Sequence, residues 1–108
     1  YQLSTEMKAI SIICLITLLI ACSPKLAVPL QGDVVRGSEK FSNLTLSELT
    51  QGKLLYEQNC GGCHNLKKAF MTTNEQIEKV MPEMAAKAKI SSAEQGLILK
   101  YLLTMNDN

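Results

Sequence analysis

The chain has 108 residues and a formal net charge of +1, with 19% charged, 46% hydrophobic and 5% aromatic residues, four cysteines, one histidine and no tryptophan. This near-neutral balance excludes a disordered polyelectrolyte and a basic nucleic-acid binder, so no nucleic-acid partner is expected. The length leaves room for one small domain.

The first recognisable element is the stretch "MKAISIICLITLLIACS", in which Lys8 follows Met7 and an apolar run extends from Ala9 to Ile20. That run is well short of the about 20 residues a helix needs to cross a bilayer, and it fits the hydrophobic region of an export signal. The preceding "YQLSTE" does not look like a signal's charged start. The run ends in Leu19, Ile20, Ala21 and Cys22, which resembles the lipobox of bacterial lipoprotein signal peptides. The resemblance implies cleavage just ahead of Cys22 and lipid attachment to its sulfur; the alternative is an ordinary signal peptide with an incidental cysteine. The expected organisation is therefore a signal peptide over 1–21, a lipid-anchored tether over 22–44 and a folded domain over 45–108. The mature protein would be exported, facing the periplasm and held to a membrane by an N-terminal lipid. Cys14 lies within the discarded signal, which leaves Cys60 and Cys63. A disulfide between them would close too short a loop to constrain the unfolded chain much.

Residues 23–44 carry Pro24, Pro29, Gly32 and Gly37 with scattered charge and no sustained period, as a tether would. Val34, Val35 and Phe41 are its candidates for packing on the domain. Helical patterning starts at Thr45, which forms a capping-box signature with Glu48 and predicts a helix from about Leu46 to Gln58. A second helix is predicted from near Thr73, where Thr72/Glu75 and Thr73/Gln76 offer overlapping caps. Its stripe is Ile77, Val80, Met81, Met84, Ala85 and Ala88. Pro82 predicts a break just ahead of Met84, because its ring clashes with the carbonyl four residues earlier. The last helix starts at Ser91 or Ser92 and aligns Leu97, Ile98, Tyr101, Leu102 and Met105. No stretch has the period-two alternation of a strand. The expected fold is all-α, of three to four short helices, and so small a domain commonly needs a metal, a disulfide or a cofactor to complete its interior.

The stretch "NCGGCHNL" suggests which. Cys60, Cys63 and His64 have the C-x-x-C-H spacing of c-type haem attachment. Two cysteines three apart sit on one side of a helical turn, where both sulfurs can form thioethers with one porphyrin, and the next residue's imidazole lies beneath the ring plane to bind iron. Gly61 and Gly62 let the backbone lie close to the macrocycle. A thioredoxin-like dithiol lacks its βαβ context here. Zinc and iron–sulfur sites usually need four protein ligands, and too few sulfur and nitrogen donors remain.

With "GKLLYEQNCGGCHNL", a methionine about twenty residues on and "LILKYLL" in the final helix, residues 45 to 105 resemble the small mono-haem cytochromes c of bacterial envelopes. The resemblance implies a compact helical fold around one covalent haem c, with single-electron transfer to and from redox partner proteins of the cell envelope and no substrate turnover. It implies a close crossing of first and last helices, for which Gly52, Tyr56 and Tyr101 match the family's glycine and aromatics. It further implies a methionine on the sixth position of the iron. Met84, in "VMPEMAAKAKIS", matches best and Met81 is second, with an open sixth site as the third possibility and Met71 and Met105 as remaining candidates. Many class I members place a proline soon after the motif to accept the proximal histidine's hydrogen bond. This chain has none between His64 and Met81, so a carbonyl between Asn65 and Met71 is the expected substitute.

Leu55, Leu66, Phe70, Ile77, Val80, Ile98 and Leu102 are candidate haem-pocket walls. Lys53, Lys67, Lys68, Lys79, Lys87 and Lys89 either steer an acidic partner or are ordinary solvated positions. Two alternatives to an electron carrier remain at this level: a haem-based ligand-binding or sensor domain, and a small cytochrome subunit of a larger oxidoreductase.

Overall fold

The computed structural model describes residues 26–61 and 66–106. The signal segment 1–21, the lipidation candidate Cys22, and Cys63 and His64 of the motif lie outside the described residues. The elements are α1 (Gln31–Gly37), α2 (Leu46–Cys60), a 3-10 turn (Leu66–Met71), α3 (Asn74–Ala88) and α4 (Ser92–Met105). No strand occurs among the described residues, and the fold is all-α.

Three helices begin where local chemistry directs. The Thr45 hydroxyl accepts from the Glu48 amide at 3.1 Å while Glu48 returns a carboxylate to the Thr45 amide at 3.1 Å, and Ser91 and Glu94 repeat the arrangement at α4. At α3 the Thr73 hydroxyl accepts from the Gln76 amide at 3.2 Å. Each pairing satisfies an amide that the first helical turn leaves without a partner. α2 runs past Gln58 to Cys60, so the helix enters the motif instead of stopping before it.

The break expected ahead of Met84 does not occur: α3 is continuous from Asn74 to Ala88 with Pro82 inside it. Glu78 and Pro82 share the exposed face, so the Glu78 carbonyl that loses its amide donor lies on the water side. The buried stripe of Ile77, Met81 and Ala85 is on another face and continues through. α3 ends at Lys89, which adopts a left-handed φ of 57° while its amide closes on the Ala86 carbonyl at 3.2 Å.

The domain is organised by the crossing of α2 and α4. A Cβ added at Gly52 would lie 2.1 Å from the Leu97 carbonyl oxygen and 2.9 Å from Tyr101 Cβ, so the two backbones touch as only glycine permits. Leu49, Ile98, Tyr101 and Leu102 are fully buried around this contact. One apolar cluster gathers Tyr56, Ile77, Met81, Ile98, Tyr101, Leu102 and Leu103, and a second gathers Val34, Leu44 and Leu49, with Phe41 packed against both. At the far end, the Asn106 amide donates to the Thr72 carbonyl and to Asn74 Oδ1, each at 2.9 Å, tying the end of α4 to the start of α3.

The segment expected mostly as a tether is largely folded onto the helices. Tyr101 donates its hydroxyl to the Ala27 carbonyl at 2.8 Å, Pro29 is buried, and Arg36 Nη2 donates to the Thr104 carbonyl at 2.9 Å. Gly37 packs so closely that a Cβ there would meet Leu44 Cδ2 and Thr104 Oγ1 at 2.6 Å. Val34 is buried and Phe41 half-buried, while Val35 points to water. The segment shows no single period because its contacts are divided among an extended stretch, two helical turns and a turn.

Candidate functional site

The C-terminal end of α2 positions Cys60, whose half-buried side chain packs against the cluster that contains Tyr56, Met81 and Tyr101. Tyr56 precedes Cys60 by one helical turn, on the same face of α2. Its hydroxyl donates to the Leu66 carbonyl at 2.5 Å, joining the helix before the motif to the first residue of the 3-10 turn after it. Burial raises the Tyr56 hydroxyl to about 12, with a smaller contribution from nearby Cys60, so the phenol stays protonated and remains a donor at neutral pH. Tyr101 is raised to about 12 as well, by burial first and then by Glu57 and Tyr56. The two rings stand 6.5 Å apart, and Phe70 meets Tyr101 edge-on at 6.1 Å.

Gly61 ends α2 with an ordinary right-handed φ of −69°. Its missing side chain clears the Glu57 carbonyl, 3.2 Å from an added Cβ, and the Leu66 methyls at 3.6 Å. Within the stretch expected to offer a carbonyl to the histidine, that of Leu66 already accepts from Tyr56. The pattern placed Tyr56 at the helix contact but gave no hint that its hydroxyl holds Leu66; the available signal was a tyrosine one turn ahead of the first cysteine.

The methionines are spread over several environments. Met81 is buried within the cluster on which Cys60 packs, Met84 is half-buried further along α3, Met105 is half-buried against the same cluster as Met81, and Met71 is 80% exposed. Of the expected pocket walls, Ile77, Ile98 and Leu102 are core members, Leu55, Leu66 and Phe70 pack on them, and Val80 is half-buried. Lys53 and Lys87 pair with Glu57 and Glu83 one turn away, whereas Lys68, Lys79 and Lys89 are exposed. A further pair, Lys100 with Glu48, bridges α4 to α2 and holds the Glu48 carboxyl below its ordinary value.

A covalent porphyrin needs a thiol presented to an apolar surface and a soft donor within that surface. Among the described residues, Cys60 and Met81 supply a cysteine sulfur beside an apolar surface and a thioether within it, donor types that such a group could use. Among the described residues no helix is long and apolar enough to cross a membrane. No family model, curated protein or solved structure matches the chain.

Proposed function

We propose that this chain is a membrane-tethered mono-haem cytochrome c that carries single electrons in the bacterial cell envelope. The haem would be joined by thioethers to Cys60 and Cys63, and its iron would be held by His64 and Met84, or failing the latter Met81. The observation that carries the reading is Cys60, which opens a C-x-x-C-H motif and packs on an apolar cluster containing two tyrosines and a methionine. When bound, the haem supplies one-electron chemistry, its iron alternating between ferric and ferrous. The chain contributes anchoring through its cysteines, an apolar surface from the half-buried Leu55, Leu66 and Phe70 over the core of Ile77, Ile98 and Leu102, and a fixed backbone just after the motif where Tyr56 holds Leu66. A methionine thioether as sixth ligand favours the reduced iron relative to a second nitrogen.

A pyridine haemochrome spectrum of the exported protein, made with the haem-attachment machinery and denatured before measurement, is expected to show haem that stays with the polypeptide. Cys60→Ala should shift that spectrum toward a porphyrin with one unsaturated vinyl. A colourless, folded product with both thiols of the motif titratable overturns the reading. The ferric protein should show the weak far-red band of a methionine–iron bond, lost in Met84→Ala and kept in Met81→Ala. The reverse result moves the ligand to Met81. Ready carbon monoxide binding by the reduced wild type would instead favour a ligand-binding domain.

A further inference from the structure

Of the six large apolar side chains exposed among the described residues, Leu46, Leu54 and Met71 lie apart along the chain, and the other three lie together. Val28, Leu30 and Val35 are 68%, 67% and 68% exposed and fall within one short stretch at the N-terminal edge of the domain. Pro29, between the first two, is buried. Alternation of this kind in extended backbone, with Leu30 at φ −122° and ψ 167°, turns Val28 and Leu30 to the same outward side. Val35 faces water from α1 while its neighbour Val34 is in the core.

This stretch is fixed to the rest of the molecule. The Ala27 carbonyl is held by the Tyr101 hydroxyl, Leu26 packs on the main cluster, and Arg36 reaches the Thr104 carbonyl. Leu26 is therefore already part of the packed domain. From Cys22 to Leu26, even a fully extended chain spans at most about 14 Å. A headgroup layer is roughly 5–8 Å thick on each side of a bilayer. A lipid on Cys22 would thus keep Leu26 within about two to three headgroup thicknesses of the acyl chains, which holds the apolar side chains that follow close to the surface.

We propose that Val28, Leu30 and Val35 form a membrane-contact face, by which the domain lies directly on the lipid bilayer instead of swinging on an arm. The proposal rests on the lipid-anchoring reading of Cys22. The occupant is the interfacial region of a phospholipid bilayer, into which isolated apolar side chains partition while Asp33 and Arg36, paired at 2.9 Å beside them, stay in the headgroup layer.

Hydrogen exchange followed by mass spectrometry tests this on the full, lipidated protein in phosphatidylethanolamine/phosphatidylglycerol nanodiscs. The reference carries a Gly/Ser insertion of about 20 residues after Lys25, which adds roughly 25 Å of r.m.s. reach, together with Val28→Ser, Leu30→Ser and Val35→Ser. Peptides covering 26–37 are expected to exchange several-fold more slowly in the wild type than in the reference, with peptides covering 74–88 unchanged between them. The insertion without the serine substitutions should give intermediate protection. Equal exchange over 26–37 in a protein whose N-terminal peptide carries lipid on Cys22 overturns the membrane contact alone. An unmodified Cys22 overturns the anchoring reading and the contact with it. Protection that persists in detergent, grows with protein concentration and accompanies a doubled mass assigns the face to a second copy of the chain and overturns the bilayer as its occupant.

Discussion

The cluster of Val34, Leu44 and Leu49 is purely aliphatic, whereas the cluster of Tyr56, Ile77, Met81, Ile98 and Tyr101 mixes aliphatic groups with hydroxyls and sulfur. Both draw on α2, since Leu49 and Tyr56 stand two turns apart on one face of that helix. In the first, three side chains close on one another, and the Thr104 hydroxyl buried beside Leu44 has no hydrogen-bond partner among the described residues. In the second, both tyrosine hydroxyls are tied to backbone outside their own helices, Tyr56 to Leu66 and Tyr101 to Ala27. One helix can therefore carry a plain structural contact at its start and a chemically equipped one at its end, beside the attachment cysteine.

The largest effect is expected where the two clusters share a support. Gly52→Ala places a methyl against the Leu97 carbonyl and should lower stability by about 3 kcal/mol or more, read as the denaturant midpoint. A midpoint near that of the wild type would mean that the crossing does not hold the clusters together. Leu49→Ala breaks the aliphatic cluster alone and should cost about 3 kcal/mol while leaving the visible spectrum of the folded protein unchanged. A spectral change there would merge the two regions into one.

Tyr56→Phe acts only on the equipped cluster, removing one hydrogen bond worth about 1 kcal/mol at neutral pH. It also has a pH signature. The buried hydroxyl ionises near 12 in the folded chain and near 10 when unfolded, so the unfolded state releases its proton first. Tyr56 therefore contributes fully below about pH 10, and its contribution is lost as pH rises toward 12 at up to about 1.4 kcal/mol per pH unit. Urea titrations across that interval should fall less steeply for Tyr56→Phe than for wild type. The smallest change is expected outside both clusters: Lys89→Gly relieves the left-handed C-cap of α3 and should raise stability by about 0.5 kcal/mol. A loss there would show that the lysine side chain contributes more than its backbone strain costs.

The sequence by itself determined what short-range chemistry can specify. Thr45 with Glu48, Thr73 with Gln76 and Ser91 with Glu94 satisfy amides within a few residues, so three helix starts could be read from composition and spacing alone. The same locality made the cysteine spacing at Cys60 legible, and the stripe of Ile77, Met81 and Ala85 followed from helical period. Tertiary structure decided the rest, because those outcomes depend on which face of an element meets water. α3 continues through Pro82 since the carbonyl it strands faces outward, and Met81 is buried among Tyr56, Ile98 and Tyr101 while Met84 is half-buried further along the stripe. Residues 26–44 became part of the domain for a similar reason: their anchors, Tyr101 and Thr104, lie some seventy positions away in the chain, beyond the reach of any local pattern.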